Sequence, residues 1–334
     1  MIISRTPFRI SLFGGGSDYP PWFRQHGGSV VGFAINKYCY ITLRSLPPFF
    51  EHRHRIAYSR VETVNEIAEI QHPAVRAVLS EMNVTSGIEI HHDGDLPARS
   101  GMGSSSSFTV GLLNTLLAKQ GRMATKKQLA DEAIRIEQQV IGENVGSQDQ
   151  VWAAYGGMNR IDFLRDGTFD VTPLITPPDR RRQLMGSLML VFTGFSRYAD
   201  KVAAKQIANL GNREAHIHKM VAMVDEAIAI MCTDNRPLSD LGRLLHDSWR
   251  LKRELADAVT TPEIDAIYDA AMDAGAIGGK LLGAGGGGFM LFYVEPENQA
   301  KVKERLNSLI HVDFDVDPSG SKIVVYEPDG LQNK

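Results

Sequence analysis

The chain has 334 residues, of which 43% are hydrophobic and 22% are charged, and its formal net charge is -3. A chain of this length builds a sizeable core, and its near-neutral charge gives no general attraction to nucleic acid or to an anionic membrane. Its two cysteines, Cys39 and Cys232, lie far apart and outside any metal-binding motif, which argues against a disulfide framework and against a zinc site built on cysteine.

The first third of the chain is predicted to consist mainly of strands separated by glycine or proline turns. Its segments FRISLF, GGSVVGFAI and KYCYITLRSL are rich in β-branched and aromatic residues. Neither a signal-peptide pattern nor an apolar run of the roughly 18–20 residues that span a membrane is evident in the sequence. We therefore expect a cytoplasmic protein with no membrane partner and no nucleic-acid partner.

Helices are predicted in the middle of the chain, after the serine run at 104–107. FTVGLLNTLLAKQG has helical apolar spacing and ends at Gly121, and Thr125 is placed to cap the next helix. A Pro- and Arg-rich stretch at 172–183 is the predicted linker, and further strands and helices follow it. Mixed strands and helices in two halves predict an α+β protein, with an N-terminal domain at 1–180 and a C-terminal domain at 181–334.

Three glycine-rich segments are candidates for ligand binding: LFGGGSDYP (12–20), LPARSGMGSSSS (96–107) and KLLGAGGGG (280–288). The dinucleotide pattern G-x-G-x-x-G fails in the first, because Tyr19 stands at the third glycine position. The P-loop pattern fails at Gly279-Lys280, since Ala274 and Leu281 occupy positions that require Gly and Ser or Thr. A bound nucleotide would therefore be held by a different motif. The missing glycine also argues against a Rossmann dehydrogenase.

The middle segment has the residues of an anion site. Gly101 and Gly103 allow a sharp turn and a close approach of the backbone to a ligand. Ser104 to Ser106 stand at the predicted start of a helix, where free N–H groups and the helix dipole favour a negative charge. Serine hydroxyls also donate to phosphate or bind magnesium. A plain serine N-cap explains the same residues, and physics alone does not decide between the two.

Two carboxylates follow the serine run. Glu137 lies on the predicted helix ADEAIRIEQQVIG, and Asp149 lies in GSQDQ at the start of another helix. Near a phosphate site, one carboxylate can hold magnesium while a second accepts or orients the proton of an attacking hydroxyl. Taken singly, each is better explained as a solvated or capping carboxylate.

The order of these motifs resembles that of the GHMP small-molecule kinases, the family of galactokinase, homoserine kinase and mevalonate kinase. PFRISLFGGGSDYP, LPARSGMGSSSS and KLLGAGGGG are similar to the first, second and third family motifs, and GSQDQVWAAYGG is similar to the segment with the catalytic aspartate. The resemblance covers nearly the whole chain. It implies an ATP-binding N-terminal domain like domain 2 of ribosomal protein S5 and a ferredoxin-like C-terminal domain.

The resemblance also implies which residues bind ATP, magnesium and the acceptor. The residues expected around the ATP phosphates are Pro97, Arg99, Ser100, Gly101, Met102, Gly103, Ser104, Ser105 and Ser106. Ser105 and Glu137 match the magnesium ligands, although the serine run leaves Ser106 open as the alternative to Ser105. Asp149 matches the catalytic aspartate, with Arg9 expected beside it. The residues expected at the acceptor sugar are Ser17, Asp18, Gly283, Ala284, Gly285 and Gly286.

Within the family, the sequences RISLFGGGSDYP, SGMGSSSS and GSQDQ are most similar to those of sugar 1-kinases that act on D-glycero-D-manno-heptose 7-phosphate. Fucokinase-type enzymes are near neighbours. The similarity to the heptose 7-phosphate kinases implies phosphorylation of the anomeric C1 hydroxyl to a 1,7-bisphosphate, for nucleotide-activated heptose and the biosynthesis of lipopolysaccharide or capsule. Arg197, with Lys201 and Lys205 on one predicted helix face, is the candidate for the remote phosphate, against the alternative of a solvated basic face.

Two alternatives to this function are kept. An unphosphorylated sugar such as fucose or galactose is the alternative acceptor, and a catalytically inactive sensor of a sugar or nucleotide is the alternative to an enzyme. A homodimer is left open.

Overall fold

Strands and helices are interleaved along the chain in a computed structural model that describes residues 1–195, 199–233 and 235–328. The strands are β1 (Ile2–Phe13), β2 (Gly28–Ser45), β3 (His54–Ala57), β4 (Val61–Val64), β5 (Ile88–Gly94), β6 (Met158–Phe163), β7 (Phe169–Pro173), β8 (Leu188–Phe192), β9 (Gly278–Leu281), β10 (Phe289–Tyr293), β11 (Ile310–Val312) and β12 (Lys322–Tyr326). The helices are α1 (Pro20–His26), α2 (Pro73–Glu81), α3 (Ser104–Lys119), α4 (Lys126–Arg135), α5 (Gln148–Tyr155), α6 (Pro178–Gly186), α7 (Ala199–Asn209), α8 (Glu214–Cys232), α9 (Ser239–Arg253), α10 (Pro262–Asp273) and α11 (Pro296–Arg305).

The described strands form two sheets. The larger sheet has the order β12-β1-β2-β5-β3-β4, and β6 also pairs with β2 and with β7. Its neighbouring strands are antiparallel except for β3 and β5, which are parallel. The smaller sheet is antiparallel with the order β11-β8-β10-β9. The predicted α+β class is therefore confirmed.

The long strands β1 and β2 form the centre of the larger sheet. Strand β2 pairs with β6 through residues 28–33 and with β5 through residues 39–45, while β1 runs along its other edge. Strand β1 is buried from Thr6 to Phe13, because α3 and α5 as well as α8 pack against it. A strand covered on both faces is apolar without clean alternation, as in FRISLF. Arg9, on β1, therefore lies inside the molecule.

The end of the described chain returns to the larger sheet. Strand β12 pairs with β1, whereas the smaller sheet is made of strands between residues 188 and 312. The predicted domain boundaries, 1–180 and 181–334, keep the smaller sheet together but separate β12 from the sheet to which it pairs. Those boundaries remain a prediction.

The stretch at 172–183 is not an open linker, so that prediction was wrong for its second half. Residues from Pro178 onward form α6, which starts at proline because proline lacks the N–H that a first helical turn leaves unpaired. The Arg180 guanidinium is buried and donates to the carbonyl oxygens of Ile230 at 3.1 Å and Arg236 at 2.7 Å. Arg180, which lies in the predicted linker, thus connects α6 to the end of α8.

Helix α3 lies at the centre of the larger core. It packs on β1 and β2 on one side and on α2, α4 and α5 on the others, which explains why it is apolar nearly all round. At Gly111 the helix touches β1 so closely that a Cβ would lie 2.9 Å from Thr6 Oγ1 and 3.2 Å from Ser4 Oγ. This contact sets how closely the middle of α3 packs against β1.

A second core lies between the smaller sheet and α9, α10 and α11. Trp249, Tyr268 and Phe292 are among its buried side chains. Within the described ranges, no helix has both the length and the apolar character that crossing a membrane requires.

His72, which precedes α2, links that helix to α3. Its Nδ1 accepts a hydrogen bond from the Val75 N–H at 3.4 Å, and its ring stacks on Phe108 of α3 with centroids 4.6 Å apart. Burial, followed by the charge of His92, lowers the pKa of His72 from its usual 6.5 to about 4. The folded protein therefore keeps this imidazole neutral over a pH range in which the unfolded chain protonates it.

We predict that this difference makes the protein lose stability in mild acid. Because the folded pKa is the lower one, the contribution is complete above pH 6.5 and is lost as the pH falls from 6.5 to 4. The loss is up to about 3 kcal/mol. Urea unfolding at pH 7 and pH 4.5 measures it, with His72→Asn, which keeps a capping side chain, as the comparison. An equal loss in the wild type and in His72→Asn would show that His72 is not the cause.

Candidate active site

The segment LPARSGMGSSSS forms a tight loop that opens into α3 at Ser104, as the anion-site hypothesis requires. Gly101 and Gly103 have φ values of 79° and 75°, in the left-handed region that favours glycine. The Arg9 N–H donates to the Met102 carbonyl at 3.1 Å, and the Ser107 hydroxyl donates to the Pro7 carbonyl at 2.8 Å. The loop is therefore fastened to β1, and the first turn of α3 has a fixed direction.

This loop lines a cavity of about 480 Å³ between the two sheets. The residues expected around ATP that line it are Arg99, Gly101, Gly103, Ser104, Ser105 and Ser106. Pro97 is exposed, while Met102 and Ser100 are buried, and the Ser100 hydroxyl donates to the Pro97 carbonyl at 2.7 Å. Met102 and Ser100 thus shape the loop from beneath rather than from its cavity face.

Arg9 and Asp149 are brought together, as the resemblance implied. Arg9 Nε donates to Asp149 Oδ1 and Arg9 Nη2 donates to Oδ2, both at 2.7 Å, in a two-pronged ion pair. Arg9 Nη1 also donates to the Gly101 carbonyl at 2.5 Å. A Cβ at Gly103 would lie 3.4 Å from Asp149 Oδ2, so the carboxylate lies directly against the loop that precedes α3. Bidentate pairing fixes the orientation of the carboxylate at the cavity wall.

Asp18 lines the same cavity and lies close enough to Asp149 for their charges to interact. Its side chain is buried, accepts the Gly16 N–H at 3.0 Å, and faces Gly146, where a Cβ would lie 1.9 Å from Asp18 Oδ2. Burial raises the pKa of Asp18, and the charge of Asp149 raises it further. A carboxyl held next to Asp149 can accept hydrogen bonds from a polyol placed between the two.

Ser17 does not reach the cavity. It is fully buried, and its hydroxyl donates to the carbonyl oxygens of Gly14 at 2.8 Å and Ser29 at 3.1 Å. The Ser29 N–H donates back to the same oxygen at 3.1 Å. Its position therefore fits a role in shaping the GGGSD turn, and the sequence prediction of a contact with substrate gains no support from it.

Glu137 lies in a π-helical turn, Ile136–Ile141, that continues α4, and such turns often mark functional positions. Its Oε2 accepts hydrogen bonds from the Ser106 hydroxyl at 2.9 Å and from the Gln150 amide. Its Oε1 is buried and accepts no hydrogen bond of normal geometry from the described residues, although the Thr109 hydroxyl lies near enough to the carboxyl to lower its pKa. Burial raises the pKa of Glu137 to about 7. An unsatisfied buried carboxylate oxygen is costly and suits a cation as its partner.

The two serines proposed for magnesium differ in position. Ser106 is buried and contacts Glu137, whereas Ser105 is exposed on the first turn of α3, although both line the cavity. Helical spacing explains the difference, since neighbouring residues project about 100° apart. The assignment of Ser105 as a ligand remains a prediction, and Ser106 is the serine beside Glu137.

The glycine-rich segment after β9 closes the cavity from the side of the smaller sheet. Gly283 and Ala284 line the cavity, and a Cβ at Gly283 would lie 2.5 Å from the Gly101 Cα. Gly285 and Gly286 instead pack on Val259, whose carbonyl accepts the Gly286 N–H at 2.9 Å. Of the four residues in this segment that were expected at the acceptor, two therefore line the cavity.

Two buried lysines in the cavity wall were missed by the sequence analysis. Lys280 Nζ donates to the Leu12 carbonyl at 2.7 Å, and Lys252 Nζ donates to the Leu281 carbonyl at 2.8 Å. Neither lysine has a carboxylate partner among the described residues. Burial lowers the pKa of Lys252 well below its usual value and that of Lys280 to about 7, and the nearby Arg9 charge lowers both further. Buried lysines that lack a counterion suit an anionic ligand, because the ligand's charge would favour their protonated form.

The sequence carried only a weak signal for these lysines. Lys280 begins the quoted segment KLLGAGGGG, and Lys252 stands in SWRLKRE among basic residues of α9 that are exposed or half-buried. No local pattern distinguishes a lysine that turns inward from one in a solvated face.

The proposed remote-phosphate residues are only partly described. Arg197 and the side chain of Lys201 lie outside the described residues, and Lys205 is exposed. Helix α7 does border the cavity through Ala203 and Gln206, and the Gln206 amide donates to the Ala284 carbonyl at 2.8 Å. The segment that would carry Arg197 therefore leads into a helix of the cavity wall.

Two family models match this chain. The model for the GHMP kinases N-terminal domain matches residues 66–157, and the model for the GHMP kinases C-terminal domain matches residues 227–311, which together span more than half of the chain. The chain belongs to the GHMP kinase family. It is a phosphotransferase with an alcohol group as acceptor, and members of this family use ATP as the donor.

Individual relatives agree with this assignment. A D-glycero-alpha-D-manno-heptose 7-phosphate kinase from Campylobacter jejuni is 28% identical over 305 residues, which cover 88% of this chain and 90% of the relative. A bifunctional fucokinase/GDP-fucose pyrophosphorylase from Arabidopsis thaliana is 27% identical over 93% of this chain, which spans only 31% of that protein. A D-glycero-D-manno-heptose 1-phosphate kinase from Bacteroides thetaiotaomicron has the same fold, with a TM-score of 0.79 at 24% identity over 98% of this chain and 100% of that one.

Proposed function

We propose that this kinase transfers the terminal phosphate of ATP to the anomeric C1 hydroxyl of D-glycero-D-manno-heptose 7-phosphate, giving the 1,7-bisphosphate. The observation that carries the proposal is the Arg9–Asp149 pair, whose carboxylate faces one cavity together with the start of α3 and Asp18. The similarity to the Campylobacter jejuni heptose kinase supports the choice of acceptor. The proposal includes a cytoplasmic role in supplying nucleotide-activated heptose for lipopolysaccharide or capsule.

The start of α3 would bind the ATP phosphates. Its first N–H groups lack partners within the helix, and the left-handed glycines at 101 and 103 let the loop backbone approach the phosphate oxygens. The helix dipole adds a favourable field for the negative charge.

Glu137 and Ser106 would hold a magnesium ion that neutralises charge on the phosphates. The donor set fits this ion, because it combines a carboxylate oxygen that accepts no hydrogen bond of normal geometry from the described residues with an adjacent hydroxyl. Ser105 is the alternative ligand on the same turn.

Asp149 would align the C1 hydroxyl and accept its proton as the new O–P bond forms. Arg9 holds the Asp149 carboxylate by two hydrogen bonds, so little motion is needed when the hydroxyl arrives. Asp18 would accept hydrogen bonds from neighbouring sugar hydroxyls and fix which hydroxyl faces Asp149. Most of the rate gain then comes from positioning and from charge stabilisation.

Lys252 and Lys280 would supply part of that charge stabilisation. Both lie near Arg9, both line the cavity, and both are buried without a described carboxylate partner. A bound phosphate would favour the protonated form of both lysines, and with Arg9 they would then place three cations on one wall, which suits the charge that develops on a phosphoryl group during transfer.

We predict that Lys280→Met lowers kcat/KM by roughly 10- to 100-fold, the range expected when a hydrogen bond to a charged group is lost. Methionine is unbranched and only one atom shorter than lysine, but it carries no charge. Steady-state kinetics with ATP and the sugar phosphate measure the effect. Lys301→Met, which removes an exposed lysine of α11, is the control and is expected to retain wild-type kinetics. Equal kinetics in the two variants would show that Lys280 does not act on the reaction.

The acceptor is tested by comparing kcat/KM for D-glycero-D-manno-heptose 7-phosphate with that for the unphosphorylated heptose, L-fucose and D-galactose. We expect the 7-phosphate to be preferred by roughly 100-fold or more, which corresponds to one buried charged contact. Arg197→Ala is expected to remove this preference without lowering activity on free heptose. Turnover of fucose or galactose with none of the heptose 7-phosphate would overturn the proposed acceptor.

An unphosphorylated sugar is the second candidate. The similarity to the Arabidopsis thaliana protein and to an L-fucokinase/L-fucose-1-P guanylyltransferase of Bacteroides fragilis, 27% identical over 91% of this chain and 36% of that protein, favours it. In that case the same residues would act on C1, and the cations at 197 and 205 would belong to a solvated face.

A further inference from the structure

Two histidines and a glutamate meet outside the cavity, on the surface between α1 and α8. His26 is the last residue of α1, Glu214 is the first residue of α8, and His218 lies one turn further along α8. One ligand atom from each side chain lies within 4.8 Å of the other two. None of the three takes part in the reaction proposed above.

The separations of these atoms fit a single small cation. Glu214 Oε1 lies 3.4 Å from His218 Nε2 and 3.8 Å from His26 Nδ1. Zinc with bonds of about 2.0–2.1 Å in tetrahedral geometry places its ligand atoms roughly 3.4 Å apart. The carboxylate is therefore already close to the distance that a shared ion requires, and a small rotation of the imidazoles completes one face of the tetrahedron.

The imidazole rings are held in place by an aromatic cluster. The His26 ring stacks on Trp22 with centroids 4.3 Å apart, and the His218 ring packs edge-on against Trp22 at 5.0 Å and against His26 at 5.3 Å. Trp22 is itself buried. Because the tryptophan restricts both rings, less side-chain freedom is lost when an ion binds.

The donor set selects the class of ion. Two imidazoles and one carboxylate suit zinc and similar first-row transition metals, whereas magnesium and calcium prefer oxygen ligands. The Glu214 and His218 side chains are about half exposed, which leaves access for the ion and room for water at its fourth position. Helical i, i+4 spacing places both on one face of α8.

We infer that His26, Glu214 and His218 form a zinc-binding site that joins α1 to α8. Helix α1 begins directly after Asp18 and Tyr19, and α8 contributes Met220 to the cavity wall. The bound ion therefore fastens together two elements that border the catalytic cavity. The site is independent of the proposed reaction, because it shares no residue with it.

Titration calorimetry with Zn²⁺ as the only added ligand tests the site on the full chain without ATP. We expect one binding event. His218→Ala should weaken it by roughly 10- to 100-fold or more, because even the loss of an outer partner of a metal-binding histidine lowers metal affinity by that factor. The matched control is His216→Ala, which removes a histidine of the same helix that contacts Glu254 at 2.7 Å outside the cluster. His216→Ala is expected to bind Zn²⁺ like the wild type, and excess Mg²⁺ is expected not to displace the ion.

Thermal unfolding gives a second readout, since an ion that binds only the folded state raises Tm. Zn²⁺ should raise the Tm of the wild type and of Glu137→Gln, and should not raise that of His218→Ala. No Zn²⁺ binding by the wild type overturns the inference. Binding that survives in His218→Ala, or that His216→Ala weakens equally, overturns it as well.

Discussion

Asp149→Asn is expected to lower kcat by roughly 10²- to 10⁴-fold, the usual contribution of a positioned acid or base. Asparagine keeps the shape of the side chain but cannot take the proton of the sugar hydroxyl, and it loses half of the two-pronged pairing with Arg9. ATP affinity should change little, because the N–H groups at the start of α3 do not depend on this carboxylate. Steady-state kinetics and a separate ATP-binding titration measure the two effects.

The matched control for this prediction is Asp162→Asn. Asp162 also pairs with an arginine, Arg160, at 2.8 Å, but on β6 and outside the cavity-lining residues. It is expected to retain wild-type kcat. If the Asp149→Asn protein binds ATP and its kcat is within tenfold of the wild-type value, Asp149 takes no part in the reaction.

Glu137→Gln is expected to raise the Mg²⁺ concentration needed for half-maximal rate by roughly 10- to 100-fold or more. The variant keeps the volume of the side chain, but replaces the buried carboxylate whose Oε1 accepts no hydrogen bond of normal geometry from the described residues. Kinase rates measured across a Mg²⁺ series at saturating ATP report the shift. Glu132→Gln, on the exposed face of α4 where Glu132 pairs with Arg135, is the control and should leave the Mg²⁺ dependence unchanged.

The same Mg²⁺ series separates the two candidate serines. Ser106→Ala should shift the Mg²⁺ dependence in the same direction as Glu137→Gln, because Ser106 contacts that carboxylate. Ser105→Ala should shift it less, since its side chain is exposed on the first turn of α3. The reverse order would favour Ser105 as the ligand. An unchanged Mg²⁺ dependence in Glu137→Gln would show that Glu137 does not bind the magnesium ion.

Much of the site could be predicted from the sequence, because its motifs are local. The glycines at 101 and 103 and the start of α3 at Ser104 follow from the chemistry of turns and helix ends within a few residues. The Arg9–Asp149 pair is different, since 140 positions separate its members. No spacing rule joins residues that far apart, and only the family resemblance brought them together.

The parts that the sequence did not predict depend on tertiary packing. Whether Ser105 or Ser106 faces Glu137 is decided by the rotation of α3 against the π-helical turn at 136–141. The sequence around Lys252 and Lys280 does not show that these lysines are buried, because their burial depends on how the two sheets pack. The return of β12 to the larger sheet and the burial of Arg180 are likewise long-range events. Local propensity carries little information about such contacts.

The position of the transferred phosphate tests the central claim most directly. The protein is incubated with ATP, Mg²⁺ and D-glycero-D-manno-heptose 7-phosphate, and the product is examined by ³¹P and ¹³C NMR. The account predicts a second phosphate on the anomeric carbon and none in a parallel reaction with Asp149→Asn. A phosphate on any other carbon, or no product from the heptose 7-phosphate while a free sugar is phosphorylated, would contradict it.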